Sequence, residues 1–302
     1  MSVAGNHSAV PLTSNGVPVR NLWYMLLYAW RQRQFIGKWQ VDVENAPTLD
    51  ALLAVILSRL VEQRIRIGLG RDYRKHEQMI AGVRGRIDFA TSLKRLAFEK
   101  GRAHCRFETF SANVPKNQII RSTLNRLALL GEYGEQTHAT QSLRHKLRRI
   151  TRDLENVDLI ELSRDVVRRQ RTQRDDHDYR LMLLICQLLV EQQIPTETEG
   201  ANRLHRLDRR WELVWKLFER FVPAFLRHHT DCWIVKEQAE LRWPVEQHSS
   251  LIPLMQPDIV LTHRETGNIV VVDTKFTAKS IVTGQFGNET FNRDHLFQLY
   301  AY

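Results

Sequence analysis

Residues 257–275 read Pro-Asp-Ile-Val-Leu-Thr-His-Arg-Glu-Thr-Gly-Asn-Ile-Val-Val-Val-Asp-Thr-Lys. Two apolar runs flank the turn-like Arg264-Glu265-Thr266-Gly267, which predicts two antiparallel strands, over 254–262 and 269–276, joined as a hairpin. The unbroken Ile-Val-Val-Val run predicts a central strand buried on both faces. If His263 pairs with Asn268, Asp258 falls opposite Asp273. Directly opposed residues of an antiparallel pair have Cβ atoms about 4.5–5.5 Å apart. Two carboxylates that close repel strongly in a low-dielectric site. A divalent cation removes that penalty, and Mg²⁺ prefers a carboxylate-and-water environment, with Mn²⁺ as a substitute. A β-bulge would shift this register by one residue.

Lys275 stands two residues beyond Asp273, hence on the same face of the strand. A lysine there can orient or deprotonate an attacking water, or offset charge growing on a phosphoryl group. Thr274 is expected to point its side chain away and to offer its backbone carbonyl to the metal. A bare D-x-K is common and weak by itself. The apolar strand before it, the Pro257-Asp258 at hairpin distance and the flanking helices strengthen it. Together they form the P-D…D-x-K signature of metal-dependent nucleases.

Outward from the hairpin, Trp211, Val214, Trp215, Phe218, Val222 and Phe225 mark an amphipathic helix that Pro223 is expected to kink or end. Glu219 borders its apolar face and could complete the metal shell. Trp233, Val235, Ala239, Leu241 and Trp243 alternate with polar residues, which predicts another strand. A last helix covers 291–302, where Gln298 and Tyr302 share a face. Gln298 could hold DNA or orient Lys275. The order is helix, three strands, helix.

The N-terminal part is different. A helix is expected from Pro18 to about Trp30, and a second, capped by Thr48 or Asp50, to about Ile67. Glycines at 68, 70, 82 and 85 punctuate a basic, strand-like stretch, which predicts one or two hairpins over 71–89. Helices follow over 117–130, 142–153 and 178–193. The arginine-rich stretch 164–174 suits a solvated face and a nucleic-acid contact equally well. The polar run 196–201 reads as a linker. The expected domains are a disordered lead-in over 1–16, a first domain over 17–200 and a second over 201–302.

Composition agrees with two folded domains. The chain has 302 residues, 43% hydrophobic and 26% charged, with a net charge of +10. That excludes a disordered tail or a collagen-like chain, and the positive excess favours a polyanion such as DNA. Cys105, Cys186 and Cys232 are far apart and form no C-x-x-C pair, which argues against a disulfide framework or a thiolate zinc site and suits a reducing cytoplasm. The first residues carry no signal peptide. The longest apolar stretches, 22–30 and 181–190, are too short to span a bilayer and are expected to be buried helices.

The chain resembles McrC, the nuclease subunit of McrBC-type modification-dependent restriction systems. The resemblance starts with Val17-Pro-Val-Arg-Asn-Leu-Trp-Tyr-Met-Leu-Leu-Tyr-Ala-Trp30. It continues through Gly85-Arg-Ile-Asp-Phe89 and Asn117-Gln-Ile-Ile-Arg-Ser-Thr-Leu124. It ends with Leu217-Phe-Glu219, Asp258, Asp273-Thr-Lys275 and Phe297-Gln-Leu-Tyr-Ala-Tyr302. It implies an α+β chain: a mixed helical and β-hairpin N-terminal domain, then a restriction-endonuclease-like PD-(D/E)xK α/β domain. Family members continue beyond the Gln298 helix, so the second domain is expected to be cut short at its C-terminus.

The resemblance also implies a partner, a McrB-like hexameric AAA+ GTPase ring that binds the GTP and recognises modified, methylcytosine-type double-stranded DNA. The N-terminal half would engage the ring and stimulate it. The candidate contacts on the basic stretch are Arg71, Arg74, Lys75, Arg84 and Arg86. No G-x-x-x-x-G-K-[ST] occurs, so this chain has no P-loop of its own. The expected activity is Mg²⁺-dependent DNA cleavage. Asp258, Asp273, Glu219 and the Thr274 carbonyl would be metal ligands, Lys275 the residue assisting the water, and Gln298 a supporting residue. The alternatives are a non-catalytic activator of the GTPase and a stand-alone RecB-like exonuclease.

Overall fold

The structure is a computed structural model that describes residues 17–131, 133–170, 172, 176–193, 204–241, 255–275, 281–283, 289–291 and 293–301. The expected lead-in 1–16, the expected linker 196–201, Trp243 and Tyr302 lie outside the described residues. The chain divides into two units. One contains Trp39–Thr198, and the other joins Ser14–Lys38 to Glu199–Tyr302. The described residues mix helices with small antiparallel sheets, an α+β architecture.

The first helix, α1 (Val19–Ala29), therefore differs from the sequence expectation, which put it with the N-terminal domain. It packs instead on α9 (Leu204–His229), in the second unit. Tyr28 is the reason. Its ring lies 5.6 Å from Phe221 and 5.5 Å from Phe225, and its hydroxyl bonds His229 Nε2 at 2.8 Å. An apolar stripe reveals that a helix has a buried face but not which distant helix covers it.

The first unit is built on helices α3 (Leu49–Ile67), α5 (Pro115–Leu130), α6 (His138–Asp153) and α8 (His177–Gln193), with the short α2 (Gln40–Asn45) and α7 (Arg164–Arg168) beside them. Leu52, Ile56, Leu60, Ile119, Leu124, Leu147, Ile150, Leu181 and Ile185 are buried, and a fully buried Leu or Ile is worth about 1.5–3 kcal/mol. Of the two expected caps of α3, Thr48 is the one formed, accepting from Ala51 N–H, and Thr137 and Thr140 form a reciprocal capping box on α6.

The glycine-punctuated stretch does not form the expected local hairpins. Strand β1 (Asp72–Ala81) pairs along its whole length with β3 (Arg102–Ser111), and β2 (Arg86–Ile87) pairs with the other edge of β3. Between β2 and β3 lies α4 (Phe89–Lys94), capped by Asp88. Ten-residue strands reach about 33 Å, and this ribbon is exposed along most of its length. Its base is tied down. Asn117 Nδ2 donates to the carbonyls of Gly70 and Ala112, which flank the two strands, and the Tyr179 hydroxyl accepts from Gly70 N–H and donates to Asn117 Oδ1.

In the second unit, α9 runs on past Pro223 to His229 and is not ended by it. A proline costs the helix one backbone hydrogen bond, and here the aromatic packing of Phe221 and Phe225 on α1 flanks that position. Next come β4 (Trp233–Glu237), β5 (Ile259–His263) and β6 (Ile269–Val272), an antiparallel sheet in the order β4-β5-β6. β4 stops before Gln238, whose φ of +44° leaves the extended region, and beyond it Leu241 only bridges Met255.

The central strand is β5, with Ile259, Val260 and Leu261 buried. The expectation that the Ile-Val-Val-Val run would be central is corrected. Among the described residues β6 pairs only with β5, and Ile269 is 64% exposed. A second small pair, β7 (Ile281–Thr283) with β8 (Glu289–Phe291), precedes the last helix, α10 (Arg293–Ala301), and was not legible in the sequence. Among the described residues no helix is long and apolar enough to cross a membrane. All three cysteines are free.

Candidate active site

The hairpin register is the one the turn predicts. His263 N–H donates to the Asn268 carbonyl at 2.8 Å, Gly267 takes the positive φ of +70° that the turn requires, and Ile259 pairs with Val272. Asp258 therefore immediately precedes β5 and Asp273 immediately follows β6, at the same end of the hairpin. The third strand extends this end, because Gln238 N–H donates to the Asp258 carbonyl at 2.9 Å.

Two ordered contacts fix the acidic pair. Lys275 Nζ lies 2.6 Å from Asp273 Oδ2, with the Asp273 side chain 3% exposed and that of Lys275 35% exposed. Thr274 N–H and Thr274 Oγ1–H both donate to Asp258 Oδ2, each at 2.6 Å. This corrects one sequence expectation. Thr274 is buried and its hydroxyl engages the opposite carboxylate; it does not point away from the acidic pair. A strand that loses its pleat after Val272 has no reason to keep alternating its side chains.

Glu219 joins the group from α9. Burial pushes its carboxyl above the ordinary range, and the negative charge of Asp258 pushes it further, while Lys275, Lys216 and Arg220 pull it down. Asp258 and Lys275 thus both act on Glu219 through space. Gln298 lies on α10, but its side chain is outside the described residues.

Glu219 of α9, Asp258 just before β5 and Asp273 just after β6 offer only hard oxygen donors, which suit Mg²⁺ or a similar cation better than a soft metal. Among the described residues no three His, Cys, Asp or Glu side chains approach closely enough to form a ready-made metal cage. Mg²⁺ rarely uses one. It is commonly held by one or two carboxylates, with water and substrate phosphates completing its shell. The donor set therefore fits a cation that Asp258 and Asp273 hold together with substrate.

The basic residues singled out in the first unit all lie on the exposed ribbon or its connections. Arg74 and Lys75 are in β1, Arg71 just before it, Arg84 in the following loop and Arg86 in β2. Arg84 stacks 4.5 Å above the Phe107 ring, and Arg74 approaches Asp158 at 3.6 Å. Sequence reading missed the residues of the same lobe around α4. Phe89 is 62% and Leu93 63% exposed, and Val83, Leu96 and Phe98 are exposed as well. The signal for them was present in the cluster 83–102, where apolar residues are interspersed with Arg and Lys at no helical or strand period.

The chain is a two-unit α+β protein with an Asp-Asp-Lys cluster at one end of a hairpin and a glutamate on the preceding helix. Residues 9–302 match the family described as McrBC 5-methylcytosine restriction system component, and the chain belongs to that family. It is 28% identical over 290 residues to the type IV methyl-directed restriction enzyme EcoKMcrBC of Escherichia coli K12, covering 95% of this chain and 80% of that one. It also aligns with a chain of the half-complex from the tetradecameric assembly of Thermococcus gammatolerans McrB AAA+ hexamers with bound McrC. The TM-score is 0.57 at 16% identity, over 96% of this chain. This chain spans 62% of that chain's length, and the likeness is one of fold.

Proposed function

We propose that this chain is the DNA-cleaving subunit of a GTP-dependent, modification-dependent restriction complex. The observation that carries the proposal is the register that brings Asp258, Asp273 and Lys275 to one end of the β5–β6 hairpin. The site is read as a PD-(D/E)xK nuclease centre. Asp258 and Asp273 would hold Mg²⁺, with Glu219 beside them. When bound, the cation would supply positive charge against the negative charge developing on the phosphoryl oxygens.

The protein's own residues do the rest. Asp273 holds the Lys275 ammonium in place, so that it faces the reacting group at a fixed position. Lys275 orients the attacking water and stabilises the growing negative charge. The new bond is from the water oxygen to phosphorus, the phosphorus–oxygen ester bond to the leaving nucleotide breaks, and the water's proton ends on the leaving oxygen.

The partner is proposed from the relatives. An AAA+ GTPase ring would bind the GTP and recognise the modified DNA, and the ribbon lobe would meet the ring. Arg71, Arg74, Lys75, Arg84 and Arg86 would provide its charge, and Phe89 and Leu93 an apolar contact. The net charge of +10 suits double-stranded DNA.

A second reading is a non-catalytic activator of the GTPase. One experiment separates the two. The chain is mixed with its AAA+ partner, methylcytosine-containing plasmid, GTP and Mg²⁺. Cleavage that EDTA abolishes supports the nuclease. GTP turnover with intact plasmid supports the activator.

A further inference from the structure

Thr274 makes a two-bond clamp on Asp258. Its backbone N–H and its hydroxyl reach the same oxygen, Oδ2, each at 2.6 Å, and neither uses Oδ1. Thr274 is 7% exposed, so these bonds are shielded from water. Hydrogen bonds to an ionised carboxylate are roughly twice as strong as neutral ones. A carboxylate with a free χ2 would otherwise rotate through a broad range.

The clamp crosses the strand pair. Thr274 lies between Asp273 and Lys275 in the chain, whereas Asp258 belongs to the opposite strand. Holding Asp258 to Thr274 therefore sets the Asp258 carboxylate relative to the Asp273 carboxylate. Ile259 with Val272 is the last backbone pair of the hairpin, and the clamp lies beyond it.

We infer that Thr274 is a positioning residue for the cation. Its hydroxyl fixes Asp258 so that Oδ1 faces the cation while Oδ2 stays on Thr274. This rests on the nuclease reading of the same site. It assigns the middle residue of the Asp273-Thr274-Lys275 triplet a side-chain role. A backbone carbonyl alone would place no demand on the residue type, whereas a side-chain clamp requires a hydroxyl.

The test uses the full-length chain. Mg²⁺ binding is measured by titration calorimetry without DNA, and the Mg²⁺ concentration giving half-maximal cleavage is measured in the complex with partner, GTP and methylated plasmid. The variants are Thr274→Val, which keeps the shape and loses the hydroxyl, Thr274→Ser, which keeps the hydroxyl, and Asp273→Ala. Loss of a residue that orients a metal ligand typically costs about 10–100-fold in affinity or activity. Thr274→Val is expected to weaken Mg²⁺ binding and raise the half-maximal Mg²⁺ by about tenfold or more, whereas Thr274→Ser stays near wild type. If Thr274→Val does not fold, Thr274→Ala carries the same expectation.

Wild-type Mg²⁺ dependence in the hydroxyl-deleted variant overturns the inference, as does an equal loss in Thr274→Ser. If Asp273→Ala is inactive in those same experiments, only the role of Thr274 is lost and the nuclease reading stands. If Asp273→Ala cleaves like wild type, both fall together.

Discussion

Ile259 lies directly opposite Val272, and this single pairing places Asp258 and Asp273 at the same end of one hairpin. Lys275 then reaches the Asp273 carboxylate at 2.6 Å. Replacing Lys275 by Met leaves a carboxylate that is 3% exposed without this partner. Breaking a buried pair costs about 3–5 kcal/mol, and the partial exposure of the lysine reduces that to about 1–3 kcal/mol here. Urea denaturation of Lys275→Met without metal should show this loss. Mg²⁺ should restore part of the stability without restoring cleavage.

Glu219 gives the site a pH dependence of definite sign. Its folded carboxyl is raised above the ordinary value of 4.5 by burial and by Asp258. The folded chain thus holds this proton more tightly than the unfolded chain. The stability it contributes is fully present below the ordinary value and is lost as pH rises through the raised value. Glu219→Gln should remove that part of the pH slope and raise the melting temperature at neutral pH in EDTA. Melting curves at pH 4, 5.5 and 7.5 check it. The same variant should cleave more slowly, because the glutamine neither binds a proton nor attracts a cation.

The base of the ribbon depends on Tyr179. Its hydroxyl joins Gly70 to Asn117 in a buried network. Tyr179→Phe leaves the Gly70 N–H and the Asn117 carbonyl oxygen without that partner, at a cost of about 1–3 kcal/mol. The melting temperature should fall accordingly. Stimulation of the partner GTPase should fall further than Mg²⁺ binding, since the proposed cation ligands lie in the other unit.

The exposed end of the ribbon lobe is expected to matter for association and not for folding. Leu93 is 63% exposed, and surface substitutions of this kind usually change stability by about 0.5 kcal/mol or less. Leu93→Asp should therefore melt like wild type and bind the AAA+ partner at least tenfold more weakly in a sedimentation or interferometry assay. Unchanged binding would move the contact elsewhere.

The legible parts of the fold were those written locally. The turn Arg264-Glu265-Thr266-Gly267 set the hairpin register, and with it the placement of Asp258, Asp273 and Lys275, because a tight turn leaves little freedom in pairing. The cap of α3 and the apolar periods of α3 and α5 placed those helices within a few residues. What failed was non-local. β3 is polar, Arg-Ala-His-Cys-Arg-Phe-Glu-Thr-Phe-Ser, and pairs with β1 across the intervening α4, so neither its composition nor its distance announced it. The Ile269–Val272 run looked doubly buried because aliphatic content reports β propensity as well as burial, and β6 proved half exposed. The pairing of α1 with α9 joins residues some two hundred positions apart. In the site itself, the Thr274 clamp was missed because strict alternation was assumed to continue past the last paired residue.

The central claim is most directly tested with Asp273→Ala. The variant is assembled with its AAA+ partner, and cleavage of methylated plasmid is followed alongside GTP hydrolysis, with GTP and Mg²⁺ present. Cleavage should be abolished while partner binding and GTPase stimulation stay at the wild-type level. Undiminished cleavage by a preparation free of contaminating nuclease would contradict it.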